Sequence, residues 1–82
     1  MILRLHRAVE HLDVWSASDD GFSFVVTYQS PTGRGFRGRP GYVASWRRLH
    51  GGRGAIKIAG SPFRRFADAE EACNKMLELL TR

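Results

Sequence analysis

Six apolar residues near the C-terminus constrain the fold more than any other feature: Ala69, Ala72, Cys73, Met76, Leu77 and Leu80. They recur at i, i+3, i+4, i+7, i+8 and i+11, which draws one stripe down a 3.6-residue helix. Glu70, Asn74, Lys75 and Glu78 fall on the outer face, and Glu71 with Lys75 forms the favourable i,i+4 pair. Asp68 followed by Glu71 has the capping-box pattern, so the spacing predicts a helix over 68–81 with Asp68 as N-cap. An apolar stripe must be buried against a second layer. In a chain of 82 residues that layer has to come from the segments before it.

Those segments read as strands. Residues 22–29 are aromatic and β-branched, with Phe22, Phe24, Val26 and Tyr28 on one face. Residues 42–49 and 55–59 are two further strands, joined by the glycine-rich run His50-Gly51-Gly52-Arg53-Gly54 as a hairpin. Residues 12–17 make another strand, turning through Ser18-Asp19-Asp20-Gly21. Residues 2–10 admit two readings, because Ile2, Leu5, Val9 and Leu12 fit helical spacing while Leu3 and Leu5 alternate like a strand. The simplest assembly is an α+β fold: an antiparallel meander of about four strands with the C-terminal amphipathic helix packed on one face. It leaves residues 30–41 as a long, basic, glycine-rich loop within a single small domain spanning 1–82.

A domain this short hides only roughly 60–65% of its unfolded surface, so a deep cavity is harder to build than a binding surface. One cysteine, Cys73, rules out an intramolecular disulfide and argues against a stapled secreted mini-protein. Arg4, His6 and Arg7 interrupt the N-terminal apolar run too early for a signal peptide. No stretch approaches the roughly 20 apolar residues of a membrane span. The expected compartment is the cytoplasm, with no membrane partner.

Catalysis finds little footing. His6, His11 and His50 are not at metal-ligand spacing, and Cys73 sits on the apolar stripe as an inert core thiol. Asp19-Asp20 and Glu70-Glu71 are adjacent pairs whose members diverge, and no glycine run matches a nucleotide fingerprint. The expectation is a non-enzyme with no cofactor, no metal and no small-molecule substrate.

Charge carries the functional signal. Between Gly21 and Ala67 there is no Asp or Glu, yet nine basic residues: Arg34, Arg37, Arg39, Arg47, Arg48, Arg53, Lys57, Arg64 and Arg65. The rest of the chain holds four basic and eight acidic residues, so a +9 centre sits between ends of net −4, giving +5 in all. That asymmetry points to a polyanion.

Within the loop, Arg37-Gly38-Arg39-Pro40 resembles the AT-hook, whose Arg-Gly-Arg-Pro lies in the minor groove of A·T-rich DNA. An extended Arg-Gly-Arg lays two guanidinium groups along a narrow groove of enhanced negative potential, and glycine permits close backbone approach. The wider run from Tyr28, with Pro31-Thr32-Gly33 and Phe36 ahead of Arg-Gly-Arg, is similar to the DNA-binding loop of the histone-like nucleoid-structuring family. It departs from that family in spacing, and the flanking basic–proline pair of a full AT-hook is missing. The resemblance implies DNA contacts by Arg37, Gly38 and Arg39.

The strand 42–49 supplies the other candidate surface. Tyr42, Ala44, Trp46 and Arg48 share a face by alternation, and Ile56 and Ile58 are expected to meet the helix, turning Lys57 the other way. This predicts one sheet face presenting Trp46 with basic residues, suited to stacking and phosphate contacts. In architecture, residues 42–81 resemble the three-stranded-sheet DNA-binding domains of plant ethylene-response factors and phage integrase arm-binding domains. The predicted nucleic-acid-binding set is Arg34, Arg37, Gly38, Arg39, Trp46, Arg47, Arg48, Arg53, Lys57, Arg64 and Arg65. DNA is favoured over RNA. Binding like a double-stranded-RNA-binding domain needs residues 2–10 to be helical and a Lys-rich start to the last helix, where this chain has Asp68-Ala69-Glu70-Glu71. The competing class is a small protein-interaction module of phage or mobile-element type, docking the same arginines on an acidic protein surface.

Overall fold

The computed structural model describes residues 3–8, 12–30, 40–50 and 54–82. Five strands, β1 (His6–Arg7), β2 (Val14–Asp19), β3 (Phe22–Gln29), β4 (Gly41–Arg48) and β5 (Ile56–Lys57), precede one helix, α1 (Phe66–Leu80). The strands form one antiparallel sheet in the order β1-β2-β3-β4-β5, a meander with a helix on one face. This is the α+β architecture expected, with one more strand than the sequence alone defined.

The additional strand comes from the ambiguous N-terminal segment. Leu3 and Leu5 alternate into the core at 3% and 8% exposure, while Leu12, which a helical reading would bury, is 54% exposed. The N–H groups of Leu3 and Leu5 donate to Asn74 Oδ1 and Glu70 Oε2, and Asn74 Nδ2 donates back to the Leu3 carbonyl. Extended backbone is thus satisfied by polar side chains of α1 before it pairs with β2.

β2 runs two residues further than alternation predicts. Asp20 and Gly21 both have positive φ, 51° and 84°, the signature of a tight two-residue hairpin turn. Ser18 and Asp19 are therefore free to pair with Ser23 and Phe22.

The helix begins two residues before the predicted cap. Arg65 occupies the N-cap without a side-chain cap bond, and Asp68 is the third helical residue, so the expected capping box is not formed. Asp68 instead accepts from Arg65 Nε and an Arg65 terminal nitrogen, both at 3.1 Å. The reason is Phe66, whose ring lies 5.0 Å from Trp15 and 5.8 Å from Tyr42. Burying such a ring is worth about 1.5–3 kcal/mol, more than the ~1 kcal/mol of a good cap.

Phe24, Val26 and Ala44 from the sheet meet Ala69, Cys73 and Leu77 from α1, all at or near zero exposure. Residues 56–63 then cover the outer edge of β4. Tyr42 and Phe63 exchange two backbone hydrogen bonds of 2.7 Å, Ile58 N–H donates to the Ala44 carbonyl, and Ala44 N–H donates to Ser61 Oγ. Among the described residues no helix is long and apolar enough to cross a membrane.

Candidate functional site

Register decides which predicted residues share a surface. Trp46 pairs with Phe24 on one side and Ile56 on the other, on the α1 side of the sheet. Ile58 is buried as expected, whereas Ile56, expected to meet the helix, is 52% exposed at the sheet edge. The Trp46 ring meets Phe22 edge-on at 5.8 Å, so Trp46 belongs to the wall of the core. The expectation that Trp46 and Lys57 present one face is corrected. Lys57 pairs with Ser45, one residue out of step with Trp46, and therefore lies on the opposite side of the sheet.

That opposite side has no described element over it. Its rows are Val14–Thr27–Val43, then His6–Ser16–Val25–Ser45–Lys57, then Ser18–Ser23–Arg47. Small hydroxyl and β-branched residues form its middle, with His6, Arg47 and Lys57 at its margins. Its rows carry no aromatic residue. Arg48 projects to the helix side, beyond Phe22.

The basic residues fall at two ends of β4. Arg47 and Arg48 sit at its C-terminal end, and Arg64 lies beside Gly41 at its start. Six residues at about 3.3 Å each place those ends roughly 20 Å apart. Lys57 is between them, on the short strand β5. Arg34, Arg37, Gly38, Arg39 and Arg53 lie outside the described residues, although Ser30 and Pro40, which bracket the first four, are placed at the Gly41 end.

Ion pairing separates these cations further. Arg7 pairs with Asp13, Lys75 with Glu71 and Arg82 with Glu78, all outside the acid-free stretch. Arg65 is engaged with Asp68, which holds its guanidinium pKa still higher than usual through the hydrogen bond and the charge. Among the described residues, Arg47, Arg48, Lys57 and Arg64 have no carboxylate within 4.0 Å.

The Gly41 end also contains a feature the sequence reading missed. Tyr28, Pro40, Gly41, Pro62 and Arg64 line a shallow cleft of roughly 340 Å³. Gly41 makes it possible. Its φ is +150°, and a Cβ there would stand 2.6 Å from the Phe63 carbonyl oxygen. The close approach lets Tyr42 and Phe63 pair and brings Pro62 and Arg64 alongside β3. Tyr28 is 39% exposed and packs on Tyr42 at 5.0 Å. The one signal available was its position as the last large residue before the arginine–glycine loop.

The single cysteine is placed for packing. Cys73 is fully buried, and burial followed by the nearby Glu70 charge pushes its thiol pKa up to about 11. No group of three or more His, Cys, Asp or Glu side chains among the described residues is arranged to hold a metal ion.

Comparison with protein families, with curated proteins and with solved structures finds no match for this chain.

Proposed function

We propose that this chain is a non-catalytic nucleic-acid-binding module, acting on DNA before RNA, whose affinity comes mainly from phosphate contacts. The observation that carries this reading is that, among the described residues, Arg47, Arg48, Lys57 and Arg64 have no carboxylate within 4.0 Å, whereas Arg7, Arg65, Lys75 and Arg82 are engaged by Asp13, Asp68, Glu71 and Glu78. Cations kept free of internal partners are available to an external anion, and a polyanion neutralises several at once.

The geometry supports a track. Roughly 20 Å between the ends of β4 corresponds to about six steps of 3.4 Å along one DNA strand. Arg64 would stand at one end, and Lys57, Arg47 and Arg48 toward the other, with the part-buried Ser16, Thr27 and Ser45 hydroxyls on the face that carries Arg47 and Lys57. Ser and Thr hydroxyls are common phosphate donors. Arg34, Arg37, Arg39 and Arg53, outside the described residues, would add further positive charge. Arg37-Gly38-Arg39-Pro40 would add the minor-groove preference its AT-hook resemblance implies.

Fluorescence anisotropy on A·T-rich duplex, G·C-rich duplex and single strand at several salt concentrations tests this reading. Log affinity is expected to fall linearly with log salt, at a slope of about −0.9 per phosphate neutralised on duplex. Arg47→Ala and Lys57→Ala should each shallow that slope by about one. Replacing Arg37 and Arg39 together should reduce the A·T preference more than total binding. Absence of binding to all three probes at low salt refutes the reading.

A protein partner is the second reading, favoured by Leu49 at 38% and Ile56 at 52% exposure near Arg47 and Arg48. A mixed apolar and basic patch suits an acidic protein surface. Stoichiometric capture of one protein from nuclease-treated lysate, lost in a Leu49→Ser/Ile56→Ser variant, would select it.

A further inference from the structure

The cleft at the start of β4 shares Arg64 with the phosphate track, but its other walls differ in chemistry from the rest of the basic surface. Its Tyr28 wall is the outer member of a cluster of four rings. Trp15 and Phe66 lie 5.0 Å apart, Trp15 and Tyr42 5.8 Å, Tyr42 and Phe66 5.8 Å, and Tyr28 and Tyr42 5.0 Å. Trp15, Tyr42 and Phe66 pack against the core, whereas Tyr28 is the ring of this group that reaches solvent. Pro40, Gly41 and Pro62 complete apolar walls beside it, and Arg64 brings a guanidinium with no carboxylate partner among the described residues.

We infer that this cleft is a subsite for one unstacked nucleobase of a single-stranded segment, with the base on Tyr28 and its neighbouring phosphate on Arg64. The subsite presupposes the nucleic-acid reading above and adds a substrate class to it. An aromatic ring supported from behind by a second ring is a rigid stacking platform, and every base has a π-face to offer it. A base within a duplex has both faces covered and cannot use the platform. The volume, roughly 340 Å³, falls at the low end of the about 300–1,000 Å³ of small-molecule pockets. That is ample room for a single base. The Tyr42–Phe63 backbone pair fixes the distance between the Tyr28 and Arg64 sides of the cleft.

The test compares a short oligothymidylate with a duplex on the whole chain. Tyr28→Ala should weaken oligothymidylate binding about fivefold or more and leave duplex binding within about twofold. Tyr28→Phe, which keeps the ring, should bind as the parent does. Arg64→Ala, at an exposed position without an internal partner, gives a second variant that does not depend on the Tyr28 packing. It should also weaken the single strand. A 5-iodouracil-substituted oligonucleotide should photo-crosslink at Tyr28. If the parent binds both probes but Tyr28→Ala changes neither, the subsite is refuted and the phosphate track stands. Equal loss on both probes in Tyr28→Ala, or a crosslink mapping to the Ser16–Ser45 face, also overturns it. Should the parent bind neither probe, the track and the subsite fall together.

Discussion

Replacing Gly41 by alanine tests how β4, the cleft and the segment 56–63 are held together. At φ +150° glycine adopts a conformation L-residues rarely enter, and forcing one there costs about 1–3 kcal/mol. The added methyl would also stand 2.6 Å from the Phe63 carbonyl oxygen and 3.0 Å from Pro62 Cβ. Both belong to backbone or a rigid ring, so relief requires moving residues 62–63 away from β4. That motion threatens the two 2.7 Å hydrogen bonds between Tyr42 and Phe63, each worth about 0.5–1.5 kcal/mol net. Together these give a destabilisation of about 2–6 kcal/mol. Total stability for a domain of this size is about 4–12 kcal/mol, so Gly41→Ala should lose a large fraction of it. Urea denaturation followed by tryptophan fluorescence measures it, since Trp15 and Trp46 both pack against the core. Gly54→Ala is the control. Nothing lies within 4 Å of a Cβ at Gly54, and the expected change there is within about 0.5 kcal/mol. If Gly41→Ala is also within about 0.5 kcal/mol of the parent, the close approach of β4 to Phe63 is not the constraint described.

Three further outcomes follow from particular contacts. Trp46→Leu should lower stability by about 1–3 kcal/mol, as a half-buried ring against Phe22, yet leave nucleic-acid affinity within about twofold. Loss of binding in a folded variant, measured by anisotropy, would return Trp46 to the contact surface. Burial holds the Cys73 thiol at about 11 against an ordinary 9.0, so the folded state keeps a proton that the unfolded state releases. Stability is therefore whole below about pH 9 and falls by up to about 3 kcal/mol as pH rises toward 11. Cys73→Ala should remove that component of the alkaline loss, and identical urea midpoints across pH for both proteins would contradict it. Asn74→Ala removes the bonds that tie residue 3 to α1, at a cost of about 1–2 kcal/mol. Amide exchange at Leu3 should then accelerate before exchange in β3 does.

What could be read from the chain depended on whether local pattern or distant pairing decides the feature. Residues 22–29 form a strand with the predicted boundaries, because the hairpin turn at Asp20-Gly21 and Pro31 bracket an unbroken β-prone run. The stripe on α1 was equally legible, since 3.6-residue spacing is a local property. Where α1 begins was not, because Phe66 starts the helix by packing on Trp15, 51 residues away (66 − 15). Alternation grouped Tyr42, Ala44, Trp46 and Arg48 correctly but could not say which side the helix takes. The same limit put Trp46 on the open face: Lys57 turns away from α1 as expected, but Trp46 pairs with Ile56 on the helix side, and which face of β4 the helix covers is a tertiary choice. The cleft is an extreme case: Tyr28 and Arg64 are brought together by a two-bond bridge at Tyr42 and Phe63 and by the missing side chain of Gly41. Net charge behaves differently. It sums along the sequence whatever the fold, so the acid-free stretch was visible from the start, but its division along β4 was not. An eight-residue strand holds Arg47 and Arg64 too far apart to grip one small anion together. For that reason the charge total that first suggested an anionic partner leads, once its division along β4 is known, to the proposal of a partner that is itself extended and repeats its charge.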